Sequence, residues 1–344
     1  MKIVSNYHPI AESEVLKMKT IEEKLEELKV IPVVKLDRAE DGVPLAKALI
    51  DGDIPAAEIT FRTACARDAI EAISKRFPDM LVGAGTVLNK EQADAAIRAG
   101  AKFIVSPGFD ASVVRFCQEK GIPILPGCVT ATEVQQAIAL GLKTLKFFPA
   151  EQAGGLKTIK ALSAPFPQIR WMPTGGIGLK NLMEYLAFPK IIACGGSYLA
   201  NNADIDAGNW EGITELCRQT VSLVHGGTKQ DFGFEVLHIG FNQANEAEAE
   251  KSADILKSLF GFGKRETPIS VFSTDRIEIM KKQGAGKLGH VAIGTNNAAG
   301  AKKYLEGKGI QFDESTASYL PDGKLKLIYL KSEIAGFAFH LLQK

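Results

Sequence analysis

A lysine interrupts an apolar run in the middle of the chain. In the segment TLKFFP, residues 144–149, Lys146 lies between Leu145 and Phe147. Burial disfavours the charged form of an amine, and a neutral amine is a nucleophile that can form a Schiff base with a carbonyl group. The alternative is a structural lysine that pairs with a buried acid, but such residues are rarely buried without a partner or a task. We therefore interpret Lys146 as a candidate covalent catalyst.

A second set of polar residues lies in the segment EITFRT, residues 58–63. Alternation of side chains along a strand places Glu58, Thr60 and Arg62 on one face. An enclosed carboxylate can act as a general acid and base, although Glu58 could simply neutralise a nearby cation. The planar guanidinium of Arg62 is suited to a substrate carboxylate, with a surface salt bridge as the alternative. Lys35, near the end of an earlier strand, is a candidate second cation.

Two glycine-rich segments occur near the end of this part of the chain, PTGGIG at residues 173–178 and CGGS at residues 194–197. Glycines let backbone N–H groups converge on an anion, and in barrels of eight parallel strands the last two loops often hold a phosphate. Simple tight turns are the alternative. The segments GAGT and SPG place Thr86 and Pro107 at the ends of two other predicted strands, where each residue alone is more typical of a structural role.

These residues belong to a series of short apolar runs that alternate with helical patterns. The predicted strands cover residues 31–36, 56–61, 80–85, 103–108, 122–127, 144–149, 169–174 and 190–196. Such alternation implies parallel pairing, and eight units in this span favour a closed (β/α)₈ TIM barrel over an open doubly wound sheet. The candidate residues then gather at the carboxyl ends of the strands, where such barrels have their active sites. An amphipathic helix at residues 20–28 is predicted to plug the opposite end.

The length of 344 residues indicates more than one domain. We predict an N-terminal extension of residues 1–19 with no assigned function, an α/β barrel domain of residues 20–224, a linker of residues 225–231, and a smaller α+β domain of residues 232–344. In the last of these, a strand, a helix and further strands follow one another twice, which indicates paired βαβββ modules. We expect these modules to form two curved antiparallel sheets that face each other.

The composition is that of an ordinary globular protein, with 46% hydrophobic and 24% charged residues. Forty-one basic residues nearly balance 40 acidic ones, which argues against a general nucleic-acid binder. No apolar run approaches the roughly 20 residues that cross a bilayer, and the first residues lack the apolar core of a signal peptide. We therefore predict a cytoplasmic protein without a membrane or nucleic-acid partner. Five cysteines without CxxC spacing are interpreted as reduced core thiols.

Six motifs together resemble a known enzyme family. EITFRT, GAGTVL, SPG, KFFPAE, PTGGI and GGS occur in this order, and residues 20–215 closely resemble the class I aldolases of 2-keto-3-deoxy-6-phosphogluconate (KDPG) and 4-hydroxy-2-oxoglutarate (KHG). The resemblance implies that Lys146 forms the Schiff base and that Glu58 is the general acid and base. The residues that it implies for the pyruvyl pocket are Arg62, Thr86, Pro107, Phe148 and Thr174. Those that it implies for the phosphate site are Gly175, Gly176, Gly195, Gly196 and Ser197.

The same resemblance implies a reaction and an assembly. KDPG would give pyruvate and glyceraldehyde 3-phosphate, and KHG would give pyruvate and glyoxylate. The protein would be a homotrimer without a cofactor, because the lysine imine is itself the electron sink. Two other functions stay open, namely another phosphate-binding barrel enzyme, such as an isomerase or synthase, and a barrel that binds a phosphosugar without catalysis.

Residues 232–344 are similar in pattern to the glyoxalase/vicinal-oxygen-chelate superfamily, whose paired modules often hold a divalent metal. The ligands that this similarity implies are His238, Glu278, His290 and His340, and such donors suit Zn²⁺, Ni²⁺, Mn²⁺ or Fe²⁺. Two departures from the pattern of this superfamily favour a domain without a metal. His340 stands where a glutamate is usual, and His238 is about two residues out of register with His290. A second enzyme, a ligand-sensing domain and an assembly surface stay open for this domain.

Overall fold

The structure, a computed structural model, describes residues 19–344. These residues fall into two compact units, residues 19–224 and residues 225–344. The predicted extension, apart from Lys19, lies outside the described residues. The predicted linker at residues 225–231 contains the last residue of one helix and most of a one-turn helix that follows. No helix among residues 19–344 combines the length and the apolar content needed to span a membrane.

Strands and helices alternate through the first unit. Its strands are β1 (Val30–Val34), β2 (Ala56–Thr60), β3 (Leu81–Gly85), β4 (Phe103–Val105), β5 (Ile124–Leu125), β6 (Thr144–Phe147), β7 (Arg170–Pro173) and β8 (Cys194–Gly196). Its helices are α1 (Ile21–Leu28), α2 (Gly42–Asp51), α3 (Ala66–Arg76), α4 (Lys90–Arg98), α5 (Ala111–Glu119), α6 (Ala131–Ala139), α7 (Gly155–Ser163), α8 (Leu182–Leu186), α9 (Asn202–Asp206) and α10 (Trp210–His225). Short 3₁₀ segments cover Ala39–Asp41 and Ser197–Ala200.

The paired strands of this unit run parallel to one another, which confirms the predicted parallel α/β fold. Six strands form a sheet in the order β5–β4–β3–β2–β1–β8, and β6 and β7 form a second, two-stranded sheet. Isolated parallel bridges join Gly127 to Lys146, Trp171 to Ile191 and Thr174 to Gly195. Contacts of the sheet type therefore also connect the end of β5 to β6, and β7 to the β8 region.

The core of the first unit explains which end of the strands is free for polar residues. Strands β1, β2 and β3 are buried at every position, as expected for parallel strands covered on both faces. Helix α1 begins with a capping box between Thr20 and Glu23. It buries Leu25 in a cluster with residues near the strand starts, including Ile31 and Leu81. The helix therefore covers the amino ends of the strands, and the polar candidates lie toward the carboxyl ends.

The second unit is built on one mixed sheet of eight strands. Its strands are β9 (Glu235–Asn242), β10 (Arg265–Glu266), β11 (Ser270–Thr274), β12 (Ile277–Met280), β13 (Gly289–Thr295), β14 (Phe312–Tyr319), β15 (Leu325–Ile334) and β16 (Phe337–Gln343). Its helices are α11 (Lys229–Phe232), α12 (Glu246–Phe260) and α13 (Ala298–Gly307). Strand β10 was not predicted, because two residues are too few to show an alternating pattern.

The strand order of this sheet is β10–β11–β12–β9–β13–β16–β15–β14. The central strands β9 and β13 are antiparallel, and each has a parallel partner on its outer side, β12 or β16. Counted outward from the centre of the sheet, the first half has the order β9–β12–β11–β10 and the second half has β13–β16–β15–β14. In both halves the first strand is therefore followed by the fourth, the third and the second. The expectation of two antiparallel sheets that face each other is wrong, because the first strands of the two halves pair and join all eight strands into one sheet.

One face of this sheet is covered by a helix in the first half. Helix α12 is capped by Asn245, whose side-chain oxygen accepts the backbone N–H of Glu248 in the first turn. It buries Ala249 and Ala253 against Val271 and Ile279. Since neighbouring residues of a strand point to opposite faces, Phe272 and Glu278 belong to the other face of the sheet.

Candidate functional site

The residues proposed for covalent and acid–base chemistry lie next to each other. Lys146 is the third residue of β6, Glu58 is the third residue of β2, and their side chains are only 5% and 0% exposed. The Nζ atom of Lys146 lies 3.2 Å from Oε1 of Glu58. The other carboxylate oxygen, Oε2, is buried and has no hydrogen-bond partner within residues 19–344. A buried carboxylate with one unused oxygen is suited to exchange a proton with a group that enters the site.

A glycine on the adjacent strand makes room for the carboxylate. Strand β3 lies beside β2 in parallel register, and its last residue is Gly85. A methyl group on Gly85 would lie 2.1 Å from Oε1 of Glu58, so no larger residue fits without moving the carboxylate. Gly85 lies within the GAGT segment but was not singled out from the sequence. The signal that could have identified it is a glycine inside a buried strand, which often marks a close approach.

The surroundings of Lys146 combine a carboxylate with an aromatic ring. The Nζ atom lies 5.2 Å from the centre of the Phe148 ring, a cation–π distance. Phe147 points to the other side of the strand, where its ring meets Trp171 edge-on in the core. The contact with Glu58 is compatible both with a catalytic lysine and with the structural ion pair that the sequence left open.

Arg62 and Thr86 form a second polar contact at the strand ends. Arg62 follows β2, is exposed, and its Nε donates to Oγ1 of Thr86 at 3.3 Å. Among the described residues Arg62 has no carboxylate partner, so the salt bridge considered from the sequence does not occur there. Thr86 has φ 56°, a left-handed conformation that β-branched residues rarely adopt. Such strain is typical of functional sites, and here it accompanies a hydroxyl that contacts Arg62.

Two other predicted residues are placed differently. The Nζ atom of Lys35 donates to Asp37 at 2.8 Å, so this cation already has a carboxylate partner. The carbonyl oxygen of Pro107 would lie 2.0 Å from a methyl group on Gly127, the residue bridged to Lys146. Pro107 therefore borders the backbone next to the lysine, and only glycine fits at position 127.

Thr174 lies at the end of β7, beside the glycines of β8. Its side chain is buried, and its Oγ1 has no hydrogen-bond partner in the part of the chain described. A methyl group on Gly195 would lie 2.2 Å from this oxygen. Gly195 and Gly196 are buried at the end of β8, and the exposed Ser197 follows them. The free hydroxyl of Thr174 is therefore available to a bound molecule.

The glycine loop after β7 has unused backbone donors. Gly175 and Gly176 have φ angles of 105° and 79°, which glycine adopts without strain. The carbonyl of Gly175 accepts the N–H of Glu151 at 3.1 Å. Within residues 19–344, the N–H groups of Gly176 and Ile177 donate to no acceptor. Adjacent unpaired N–H groups in such a turn are typical of an anion-binding backbone.

An asparagine fixes this loop from its other side. The side-chain oxygen of Asn181 accepts the N–H of Gly178 at 2.9 Å, and its amide nitrogen donates to the carbonyl of Gly176 at 3.1 Å. One side chain thus closes the segment from Gly176 to Gly178 at both ends. Sequence reasoning missed Asn181, because an asparagine after a glycine-rich segment is common in ordinary turns.

A tyrosine and a glutamate support the same loop. The hydroxyl of the buried Tyr185 donates to Oε1 of Glu151. Burial, together with this hydrogen bond, raises the pKa of Tyr185 above its ordinary value. A methyl group on Gly176 would lie 2.5 Å from Cγ of Glu151, so the glutamate side chain packs directly against the glycine loop. Neither residue was singled out from the sequence, although Glu151 ends the KFFPAE motif.

The second unit contains a cluster of titratable residues on the sheet face opposite α12. The Nε2 atoms of His238 and His290 lie 3.3 and 3.1 Å from Oε2 of Glu278, and 3.2 Å from each other. Ser270 donates to the second oxygen of Glu278 at 2.5 Å. Burial opposes ionisation of Glu278, but hydrogen bonds from both histidines and the serine outweigh it and hold its pKa well below the usual range. The carboxylate is therefore ionised.

His340 lies beside this cluster. The register of the sheet places both His238 and His340 opposite Ala292, two residues beyond His290 on β13. His238 and His340 thus lie two positions from His290 across the paired strands, but the rings stay close, with centres 5.4 Å apart for His340 and His290. Burial, and then the two neighbouring imidazoles, lower the pKa of His340 to about 3, so the ring is neutral. Its Nδ1 atom is buried without a partner within residues 19–344.

Comparisons with known proteins concern the first unit. The sequence model of the family described as KDPG and KHG aldolase matches residues 21–216. The chain is 51% identical over 207 residues to the 2-dehydro-3-deoxy-phosphogluconate aldolase of Treponema pallidum (strain Nichols), which covers 60% of this chain and 99% of that protein. It is 44% identical over 192 residues to the KHG/KDPG aldolase of Escherichia coli (strain K12), which covers 56% of this chain and 90% of that protein.

A solved structure is similar over the same part of the chain. It is the crystal structure of the KDPG aldolase of Legionella pneumophila with pyruvate captured at low pH as a covalent carbinolamine intermediate. The sequence identity is 41%, and the TM-score is 0.56. The match covers 58% of this chain and 97% of that protein.

Proposed function

The chain belongs to the family of KDPG and KHG aldolases, and on this basis we propose that its first unit cleaves KDPG through a Schiff base on Lys146. The enzyme is a lyase that acts on a small phosphorylated 2-keto acid. The observation that carries the assignment of residues is the buried contact of 3.2 Å between Lys146 and Glu58. KHG is the second substrate, since the E. coli relative carries both substrates in its name.

Covalent catalysis begins with a proton transfer between the two residues. Glu58 takes a proton from the Lys146 ammonium group, and the neutral amine attacks the C2 carbonyl carbon of the substrate. A proton moves from nitrogen to oxygen, which gives a carbinolamine. The Glu58 proton then leaves with the hydroxyl group as water. The product is a protonated imine, and the carboxylate is ionised again.

Cleavage uses the same carboxylate. Glu58 takes the proton of the C4 hydroxyl group, the C3–C4 bond breaks, and its electron pair moves into the imine to give an enamine. Glyceraldehyde 3-phosphate leaves as the aldehyde. Glu58 returns the proton to C3, and water hydrolyses the imine to pyruvate and free Lys146. The unused oxygen of Glu58 gives it the second proton-exchange position that these steps need.

The two ends of the substrate require different partners. Arg62 has a free guanidinium fork for the substrate carboxylate, assisted by Thr86, while Phe148 and Pro107 border the pyruvyl group. The phosphate binds at Gly175 and Gly176, where the N–H groups of Gly176 and Ile177 are unpaired, and at Gly195, Gly196 and Ser197. The support for the first of these positions is the pair of unused N–H groups of Gly176 and Ile177, with the unpaired hydroxyl of Thr174 beside them.

The architecture that holds these groups is a closed ring of eight parallel strands. The isolated bridges next to β6 and β8 support this proposal, because they occur where the two sheets of the unit meet. A trimer of such units, and a division at residues 20–224, 225–231 and 232–344, are part of the same proposal. Light scattering of the full chain would test the assembly.

Trapping of the imine is the direct experiment. Reduction with borohydride in the presence of pyruvate should add one pyruvyl mass to the peptide that carries Lys146. A coupled assay of pyruvate release with lactate dehydrogenase should then give activity with KDPG and none with Lys146→Ala. Absence of an adduct, or an adduct on another lysine, would contradict the assignment. A phosphosugar-binding barrel without catalysis would give neither adduct nor pyruvate.

For the second unit we propose a divalent metal centre at His238, Glu278 and His290, with His340 as a fourth group. The three ligand atoms are 3.1, 3.2 and 3.3 Å apart. For bonds of about 2.0–2.1 Å, ligands around a tetrahedral ion lie about 3.3 Å apart. Hydrogen bonds between the same atoms have similar lengths, so the feature that favours an ion is the donor set, two imidazoles and one carboxylate whose ligand atoms all lie within 4.8 Å of one another. When bound, such an ion supplies Lewis-acid chemistry.

Metal analysis of the full chain tests this second function. Protein that is dialysed against Zn²⁺ or Co²⁺ and then desalted should retain about one ion per chain, and His290→Ala should retain none. Aldolase turnover should be the same in both, because the Schiff-base residues lie in the other unit. Wild-type protein without a retained ion would leave the cluster as a hydrogen-bonded network.

A further inference from the structure

An arginine lies in the same row of side chains as the histidine cluster. Arg265 of β10 is paired with Phe272, Phe272 with Glu278, Glu278 with Gly240, and Gly240 with His290. Residues directly opposite each other on neighbouring strands present their side chains on the same face. The row therefore runs from an exposed cation at the sheet edge to the buried ligands at its centre.

Two ring contacts fix the position of the guanidinium. Its central carbon lies 4.3 Å from the centre of the Phe272 ring. That ring meets His238 nearly edge-on, with ring centres 5.7 Å apart. The two distances place the guanidinium carbon no farther than about 10 Å from the centre of the His238 ring. A small organic acid with a group at each end can reach both.

The guanidinium is also chemically free. Nearby cations are neutralised, since Lys264 and Lys281 each form ion pairs with two carboxylates. The guanidinium of Arg265 forms neither an ion pair nor a hydrogen bond within residues 19–344. Stacking on Phe272 orients the planar group but uses none of its five N–H donors. These donors match the geometry of a carboxylate.

The charge of the site favours the same ligand. The cluster contributes one carboxylate, Glu278, and three imidazoles, and an imidazole binds a metal in its neutral form. A divalent ion would leave this set with a charge of about +1, and Arg265 adds another positive charge. A glutamate in place of His340 would have neutralised the metal set. Positive charge at a partly buried site favours anionic ligands.

We propose that the second unit binds a small dicarboxylate anion, with one carboxylate at the His238–Glu278–His290 cluster and the other on Arg265. This inference rests on the metal centre proposed above and names the class of molecule that the centre takes. Arg265 determines specificity by its charge and its fork of donors. A ligand with one carboxylate gains nothing from Arg265, whereas a dicarboxylate does.

Cobalt spectroscopy of the full chain tests this proposal without any enzyme assay. The visible spectrum of Co²⁺-loaded protein should change on addition of glutarate or succinate, and the uncharged succinamide should have no effect. Arg265→Met keeps an apolar contact with Phe272 and should weaken glutarate binding about tenfold or more. The affinity for acetate should stay the same. Lys257→Met, which removes a charge on the exposed side of α12, should bind glutarate as the wild type does.

The outcomes separate the two proposals. Cobalt that binds but does not respond to either dicarboxylate, or equal glutarate affinity in Arg265→Met, would overturn the anion site while the metal centre stands. If the wild type binds no cobalt, titration calorimetry of the metal-free protein with glutarate still shows whether the anion site exists. Binding that is lost in Arg265→Met supports the anion site, and absence of binding to the wild type overturns it.

Discussion

Lys146 and Glu58 are 88 positions apart in the chain, yet the lysine nitrogen lies 3.2 Å from a carboxylate oxygen of the glutamate. Both side chains are buried, and the second oxygen of Glu58 has no partner among the described residues. A purely structural ion pair gains most when all its polar atoms are satisfied. The unused oxygen therefore agrees better with a pair that handles protons than with one that only neutralises charge.

Glu58→Gln keeps the size of the side chain but removes its proton chemistry. We expect kcat for KDPG cleavage to fall about 10²- to 10⁴-fold, the usual effect of losing a general acid and base. Trapping by pyruvate and borohydride should become slower, because Glu58 no longer takes the ammonium proton of Lys146, but the adduct should still form on Lys146. Steady-state assays check the fall in kcat, and mass spectrometry checks the adduct on Lys146. A kcat within threefold of the wild type would refute the role of Glu58.

Gly85→Ala tests whether the position of the carboxylate matters. The added methyl group would lie 2.1 Å from Oε1 of Glu58 and must displace it, so we expect kcat to fall about 10- to 100-fold. Gly83→Ala, two residues earlier on β3, is the matched control. Its methyl group meets the core ring of Phe103 and should lower stability by about 1–3 kcal/mol without a comparable loss of kcat. Thermal unfolding and kinetics, measured on both variants, separate the effects.

Asn181→Ala tests the support of the phosphate loop. Loss of both hydrogen bonds should let the Gly176–Gly178 segment move, which weakens the backbone contacts to phosphate. We expect the KM for KDPG to rise about tenfold. The KM for KHG, which has no phosphate, should change less than threefold. Equal changes with the two substrates would mean that Asn181 supports the whole fold and not the phosphate site.

Tyr185→Phe removes the hydroxyl that donates to Glu151 next to the same loop. The freed carboxylate should lower the affinity for the phosphorylated substrate by repulsion, again with little effect on KHG. Glu151→Gln in the same chain should restore the affinity, because it removes the charge. The KM values of the single and double variants give the test, and a double variant no better than Tyr185→Phe would argue against a charge effect.

The cysteines give a prediction about reactivity. Cys65 is partly exposed, and the other four cysteines are buried. Burial raises the pKa of Cys117 to about 11 and that of Cys128 to about 12, so their thiolates are scarce at pH 8 and increase only at higher pH. A disulfide reagent at pH 8 should therefore label one thiol rapidly in the native protein and all five after unfolding. Rapid labelling of a second thiol in the native protein would show that the core opens readily.

Local pattern was sufficient for most elements of the fold. The alternation of apolar runs and helical segments located strands such as β2, predicted at 56–61 and found at Ala56–Thr60. Period-two alternation also placed Glu58 and Thr60 on one face of that strand, whereas Arg62, predicted on the same face, lies in the turn that follows it. The pattern was not sufficient for β10, because two residues show no periodicity, or for the single mixed sheet of the second unit. Strand pairing between the halves depends on contacts between residues far apart in the chain, which the pattern of a local segment does not predict.

The sequence by itself determined which residues have unusual chemistry for their surroundings, namely a lysine in an apolar strand, an acid 88 positions away, and pairs of glycines near the ends of two later strands. Only the tertiary structure decided which of them touch. It also revealed Gly85 and Asn181, whose importance lies in distances to residues far along the chain or in one exact turn. In the second unit, the register of β9, β13 and β16 decides that an offset of two residues still brings three histidines together. The physical reason is that side-chain alternation fixes the face of a strand, whereas the neighbours on that face are set by pairing across the whole sheet.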